Sequence, residues 1–281
     1  MHGTPIENLA FYRFVRFPSD ERRKELRKGL KALCASLGLK GTILIAPEGI
    51  NGFIAGPIDA IRVFREALEK EPELKDLTIK VSVSEEIPFR RLLVKLKKEI
   101  IPLGEEWLSS VQPDRATGPR LEPETLRDWY RQGKSFVILD TRNEFEARIG
   151  TFRNAQTLDI ATFREFPEKL EQAPAEWRDQ PVVMFCTGGI RCEKATAVAS
   201  QLGFKEAYQL EGGILRYFEK CGGEFFDGEC FVFDRRVALD AALAPTERLR
   251  TCYDCRAILT LEEQAAGHHC RPEPGNTYWE G

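Results

Sequence analysis

Residues 181–204, PVVMFCTGGIRCEKATAVASQLGF, decide the fold of the central part of the chain. An apolar run ends at Cys186, passes Gly188 and Gly189, reaches Arg191 and then takes on helical character up to Gly203. A short continuous apolar run bounded by a proline and a glycine turn is the pattern of a strand buried on both faces, as in a parallel sheet. Ligands of such sheets bind at the carboxyl ends of the strands, and Cys186 stands at that end. Working outward, SFVILDTR, NEFEARIG, EFPEKLEQ and EAYQLEGGILRYFEKCG alternate strand and helix. An α/β domain with a mainly parallel sheet is therefore predicted over residues 123–222.

The loop Thr187, Gly188, Gly189, Ile190 and Arg191 runs from strand to helix N-terminus. Glycines let successive backbone N–H groups turn inward, and the helix end and the guanidinium add positive potential. A thiolate there has a depressed pKa, so Cys186 is the candidate catalytic nucleophile. Four residues separate Cys186 from Arg191, a small cradle suited to one extra sulfur on the thiol, whereas a phosphatase loop of this design has five. The competing reading is a buried core thiol beside a tight turn. Cys192, in the first helical turn, is either a thiol that resolves an oxidised or sulfur-carrying Cys186 or a small residue packed on the sheet.

The N-terminal third, residues 1–110, reads strand, helix, two strands, helix and further strand. LAFYRFVRF (9–17) is the first strand, and SDERRKELRKGLKALCASLG places Leu26, Leu30, Leu33 and Leu37 at helical spacing between a Ser19 or Asp20 N-cap and Gly38. GTILIA and GFIAG are two short strands around the turn of EGING (48–52), with Asn51 in left-handed backbone, the alternative being that Glu48 and Asn51 contact RNA or shape the active-site rim. IDAIRVFREALEK, LTIKVSVSE and RLLVKLKKEI follow, and the order predicts a ferredoxin-like α+β layer. Residues 111–122 read as a linker, and 223–281 as a short irregular Cys-containing segment. The fold class is thus α/β and α+β multidomain.

Composition excludes a membrane-spanning or disordered chain: 42% hydrophobic and 30% charged residues, with no apolar run near the roughly 18 residues a span needs. There is no basic leader followed by an apolar stretch, so a cytoplasmic location is expected. Eight cysteines in a chain of that kind point to metal binding or catalysis rather than a disulfide framework. The net charge of −3 divides unevenly, with residues 1–110 at +3 and the remainder at −6, which is compatible with a weakly basic nucleic-acid face in the N-terminal third.

FVILDTRNEFEARIGTFRNAQTL followed by FCTGGIRCEKA resembles a rhodanese domain over about residues 119–222. That resemblance implies a persulfide-carrying Cys186 with Thr187–Arg191 as its cradle, and mainly structural roles for Asp140 and Arg142. The family's usual Gly-His-Ile is here GTF, Gly150 to Phe152. With APEGINGFIAG, FRRLLVKLKKEI, GTFRNAQTLDIATFREFP and GECFVFDRRVAL added, the chain resembles the bacterial tRNA uridine(34) hydroxylases built on a rhodanese core.

The resemblance implies oxygen-dependent hydroxylation of the wobble uridine to 5-hydroxyuridine, with molecular oxygen as co-substrate and the tRNA anticodon loop as partner. Splayed loop bases stack on aromatics while basic residues hold phosphates. The RNA-binding candidates are Arg13, Arg16, Arg90, Arg91, Lys95, Lys97 and Lys98, with Phe11, Tyr12 and Phe89 interleaved, against the alternative of solvated strand and helix faces. No flavin or nicotinamide motif is visible, and three histidines do not assemble a facial iron triad. Cys186 either adds to uracil carbon 6 or carries the oxygen as a sulfur–oxygen species. Cys252, Cys255 and Cys270, with His268 or His269, form a candidate Cys₃His structural zinc site, or else free thiols; Glu273 stands where relatives place a further cysteine. The alternatives from other classes are a thiosulfate or persulfide sulfurtransferase and a non-catalytic anion- or RNA-binding module.

Overall fold

A computed structural model describes residues 5–252, 257–268 and 270. The chain divides into two compact units between Pro102 and Leu103.

In the first unit the order is β1 (Ile6–Phe14), α1 (Asp20–Ser36), β2 (Lys40–Ala46), β3 (Gly49–Pro57), α2 (Ile58–Glu69), β4 (Thr78–Ser84) and β5 (Leu92–Leu96). The sheet runs β4-β1-β3-β2-β5, antiparallel except for β5, which lies parallel to β2. The first four strands and both helices have the predicted ferredoxin-like order, and β5 extends it at one edge. Strand alternation explains the layering: Leu9, Phe11, Ile43, Ile45, Ile50 and Ile54 join Leu26 and Leu30 of α1 and Ile61 and Phe64 of α2 in one core. The Phe11 and Phe64 ring centroids lie 5.9 Å apart. Helix α1 starts where Ser19 Oγ accepts the Arg22 N–H at 3.2 Å and stops before Gly38 at φ 67°.

Two details depart from the sequence expectation. β1 begins three residues before Leu9 and ends at Phe14, because the Val15 N–H turns to the Glu48 carbonyl at 2.9 Å. The predicted EGING turn is mostly strand: only Pro47 and Glu48 separate β2 from β3, and Asn51 is extended, paired with Tyr12 and Leu44. The Asn51 and Glu48 side chains instead clamp a later segment. Glu48 Oε1 accepts the Ile100 N–H at 2.7 Å, and Asn51 Nδ2 donates to the Ile100 carbonyl at 3.4 Å.

The second unit contains β6 (Arg120–Leu121), α3 (Pro123–Arg131), β7 (Val137–Asp140), α4 (Glu144–Ala147), β8 (Gly150–Phe152), α5 (Phe166–Glu171), β9 (Val182–Phe185), α6 (Ile190–Gln201), β10 (Ala207–Leu210) and α7 (Gly213–Cys221). Its sheet, β6-β10-β9-β7, is wholly parallel, and every residue of β7 and β9 is buried. The end of the expected linker is built into it: Thr117 Oγ1 donates to the Glu193 carbonyl at 2.9 Å, and Gly118 N–H to Thr196 Oγ1 at 2.9 Å.

The remaining segment is more ordered than its sequence pattern predicts. β11 (Phe226–Gly228) pairs with β8, β12 (Cys230–Phe231) with β13 (Ala238–Leu239), and β14 (Leu249–Thr251) with β15 (Ile258–Thr260), which leads into α8 (Leu261–Ala265). These strands are two or three residues long, too short to show a period of two, and aromatic contacts hold them. The Phe226 ring meets Phe152 at 5.2 Å and Phe218 at 5.0 Å.

Replacing Glu48 by Ala removes the acceptor for the buried Ile100 N–H; a bond to a charged group contributes about 1.5–3 kcal/mol. The expected outcome is a loss of that order in urea unfolding. An unchanged midpoint would show that the clamp is dispensable.

Candidate active site

Cys186 follows β9 directly and has no exposed surface. Gly189 turns at φ 99°, in the left-handed region, and its N–H points at Cys186 Sγ at 3.1 Å. The loop's carbonyls face the other way. Ile214 N–H donates to the Cys186 carbonyl at 3.0 Å and Leu215 N–H to the Thr187 carbonyl at 3.2 Å, so the first amides of α7 hold the loop from behind. This needs a close approach that only glycine allows: a Cβ on Gly213 would lie 2.3 Å from the Cys186 carbonyl oxygen. Gly188, by contrast, has nothing within 4 Å of where a Cβ would stand.

Burial alone raises the Cys186 thiol, but four contributions outweigh it. They are a hydrogen bond from the Cys192 thiol, the Arg191 charge, and the backbone N–H groups of Arg191 and Gly189. The net result is a pKa lowered to about 5, a thiolate at neutral pH. Cys192 moves the other way, pushed well above the ordinary thiol range by burial, by its bond to Cys186 and by that neighbour's charge. Its sulfur also lies 3.8 Å from Thr141 Oγ1, which donates to the Phe185 carbonyl at 3.0 Å. The two sulfurs of the loop are thus a thiolate and a thiol joined by one proton.

Arg191 does not reach outward. Its terminal nitrogens bind the Glu146 carboxylate at 2.5 and 2.8 Å, with Glu146 fully buried. The carboxylate also accepts the Asn143 N–H at 3.2 Å and the Thr187 hydroxyl at 3.4 Å. Burial opposes the Arg191 charge, and the Glu146 carboxylate more than restores it, so the guanidinium is firmly protonated. The segment after α7 closes this group: the Phe231 carbonyl accepts the Thr187 hydroxyl at 3.4 Å, and Arg191 stands 5.9 Å from the Phe233 ring centre. Asp140 and Arg142 form a separate buried pair at 2.6 Å, with Arg142 also donating to the Gly150 carbonyl at 2.6 Å. Gly150 belongs to the GTF tripeptide, which forms β8.

The structure thus brings Cys186, Thr187, Gly189, Arg191 and Cys192 together. Glu146, Thr141, Gly213 and Phe233 were missed in the sequence. The capping-box spacing of Asn143 and Glu146 and the paired glycines at 212 and 213 were the signals available for two of them.

The RNA-binding candidates all belong to the first unit. Arg16, Arg90, Arg91, Lys97 and Lys98 are exposed, Arg13 and Lys95 half-buried, and Arg13 pairs with Asp76 at 3.3 Å. Phe11 is core and unavailable to a base, whereas Tyr12 lies on the opposite sheet face. Among the metal candidates, ligand atoms of Cys252, His268 and Cys270 lie within 4.8 Å of one another, and the two sulfurs 3.3 Å apart. Cys255 and His269 lie outside the described residues. Two thiols and an imidazole are a donor set that could bind a metal ion.

Residues 6–100 match the UPF0176 acylphosphatase-like domain and residues 122–220 the rhodanese-like domain. The chain is 45% identical over 269 residues to a tRNA uridine(34) hydroxylase of Cupriavidus taiwanensis, covering 94% of this chain and 93% of the relative. The chain belongs to the tRNA uridine(34) hydroxylase family. Relatives of the same name from Ralstonia nicotianae and Burkholderia ambifaria are each 45% identical, covering 94% and 92% of this chain and 93% and 92% of the relatives. Among solved structures, a rhodanese-related protein of Thermoplasma volcanium is 27% identical with a TM-score of 0.31, covering 37% of this chain and 93% of that one. A human single-domain sulfurtransferase is 26% identical with a TM-score of 0.31, covering 37% of this chain and 97% of that one. The loop of this family member holds a stabilised thiolate with a protonated neighbour.

The ultraviolet absorbance of a thiolate is expected to appear with a midpoint near pH 5, while buried Cys34, pushed up to about 12 by burial, stays silent. Because the folded pKa lies below the unfolded value, stability from this thiolate is present above the ordinary thiol range and is lost as pH falls through about 5. Cys192→Ala, which removes the hydrogen-bond donor, is expected to move the midpoint upward. A midpoint that stays put would assign the depression to Arg191 and the amides alone.

Proposed function

We propose that this chain hydroxylates carbon 5 of uridine 34 in the tRNA anticodon loop, with dioxygen as co-substrate and Cys186 as the reacting group. The observation that carries this reading is the stabilised thiolate of Cys186 at its loop, with the Gly189 N–H 3.1 Å from its sulfur, in a chain that matches hydroxylases of that name over 94% of its length. Addition of the thiolate to uracil carbon 6 makes carbon 5 electron-rich, and loss of the thiolate after oxygenation restores the ring.

Uridine, dioxygen and two thiols balance against 5-hydroxyuridine, water and one disulfide. Cys192, hydrogen-bonded to Cys186, is the thiol that would close that disulfide. A cellular dithiol would then reduce it. Thr187 to Arg191 hold the anion, and the exposed cations of the first unit contact phosphates. Cys252, His268 and Cys270 would hold a structural zinc ion, with Cys255 as the fourth ligand implied by spacing.

Nucleosides from tRNA of a host lacking the gene test this directly. Complementation with the wild-type chain is expected to restore 5-hydroxyuridine and its derivatives, and Cys186→Ser to leave them absent. Restoration by Cys186→Ser would remove the thiol from the chemistry. Mass spectrometry of peptides after turnover is expected to find a 186–192 disulfide that Cys192→Ser abolishes. For the metal, wild type purified without chelator is expected to carry about one equivalent of zinc, lost in Cys252→Ser. The four residues between Cys186 and Arg191, a cradle suited to one extra sulfur, and the rhodanese-like domain match support a second reading, persulfide transfer. Thiocyanate formation from thiosulfate and cyanide without RNA would favour it.

A further inference from the structure

One face of the first unit's sheet is covered by α1 and α2; the other carries neither helix. The register assigns Tyr12 and Phe14 of β1 and Phe53 of β3 to this second face. Each of the two central aromatics stands between short neighbours. Phe53 lies opposite Ala10 and Thr42, and Tyr12 opposite Asn51 and Thr78, so both rings rise above the strands beside them. Tyr12 and Phe53 are diagonal neighbours on adjacent strands, and Phe14 braces Tyr12 edge-on at 6.4 Å between centroids. All three rings are half-buried.

The strands contribute only cations to this face, and the Glu48 carboxylate in the β2–β3 turn, engaged by the Ile100 N–H, lies at its edge. Lys40 of β2, Lys80 of β4 and Lys95 of β5 lie on it by register. The one carboxylate in the five strands, Glu7, alternates to the other face. Lysines spaced across three strands beside flat aromatic rings complement a polyanion that carries flat aromatic groups.

We infer that this face is a stacking platform for unpaired RNA nucleotides, with bases on Tyr12 and Phe53 and phosphates at Lys80 and Lys95. Every base presents a π-face, so such a platform grips a single strand with little regard to sequence, while the lysines follow its backbone. The inference rests on the chain being an RNA-modifying enzyme and adds where the unpaired nucleotides flanking the target are held.

The test uses the full chain and fluorescence anisotropy with a labelled oligouridine, against a duplex RNA of equal length. The single strand is expected to bind more tightly. Tyr12→Leu and Phe53→Leu, which keep apolar bulk on the sheet, are each expected to weaken it by about 5- to 150-fold, with thermal unfolding unchanged. Lys80→Ala and Lys95→Ala are each expected to lower the slope of log affinity against log salt by about 0.7. Equal affinity for duplex, no binding by wild type, or undiminished binding by a folded Tyr12→Leu/Phe53→Leu double variant would overturn the platform. Nucleoside analysis separates the two ideas. Tyr12- and Phe53-dependent binding by a chain that forms no 5-hydroxyuridine supports the platform and ends the hydroxylase reading. Hydroxylation with binding indifferent to both rings does the reverse.

Discussion

A negative charge held inside the protein organises the end of β9. Water would stabilise a thiolate at no structural cost; a buried one needs a complete substitute for that solvation. Here the substitute is the Gly189 and Arg191 amides, the Cys192 proton and the Arg191 guanidinium. The guanidinium in turn would be an unpaired buried cation without Glu146, and Glu146 an unpaired buried anion without Arg191. Each group is tolerable only because the next is present. That chain of compensation fixes the direction of α4, the start of α6 and the glycines that let α7 come close.

Much of this architecture was legible in the residues, for reasons that differ from element to element. β9 and α6 could be read because an all-apolar strand, two glycines and an arginine leave few alternatives. The ferredoxin-like layer could be read because its helices keep apolar residues at 3.6-residue spacing over long stretches. Glu146 could not, since a glutamate on a short helix has the same local pattern whether it faces water or an arginine 45 residues further on. Phe11 and Tyr12 differ only in parity, so which of them meets solvent depended on strand register, and that in turn on where β1 begins. The strands after α7 escaped because pairs and triplets of residues carry no period at all.

The two units carry complementary kinds of specificity. In the second, the Gly189 N–H turns to the Cys186 sulfur and the Arg191 guanidinium to the Glu146 carboxylate, within a few ångströms of one thiolate. In the first unit the sheet face away from the helices carries the Tyr12 and Phe53 rings and strand lysines, a kind of surface suited to a class of polymer rather than to one position in it.

The strands beyond α7 bear on how such a site can be inherited. Phe231 supplies a carbonyl to Thr187 and Phe233 an aromatic face to Arg191, both from outside the sheet that carries the Cys186 loop. A recombination event that exchanged only the parallel sheet and its helices would transplant the cysteine loop without its roof. The evolutionary unit of this buried thiolate loop is thus longer than the parallel-sheet domain that carries it, and loop and roof have to travel together.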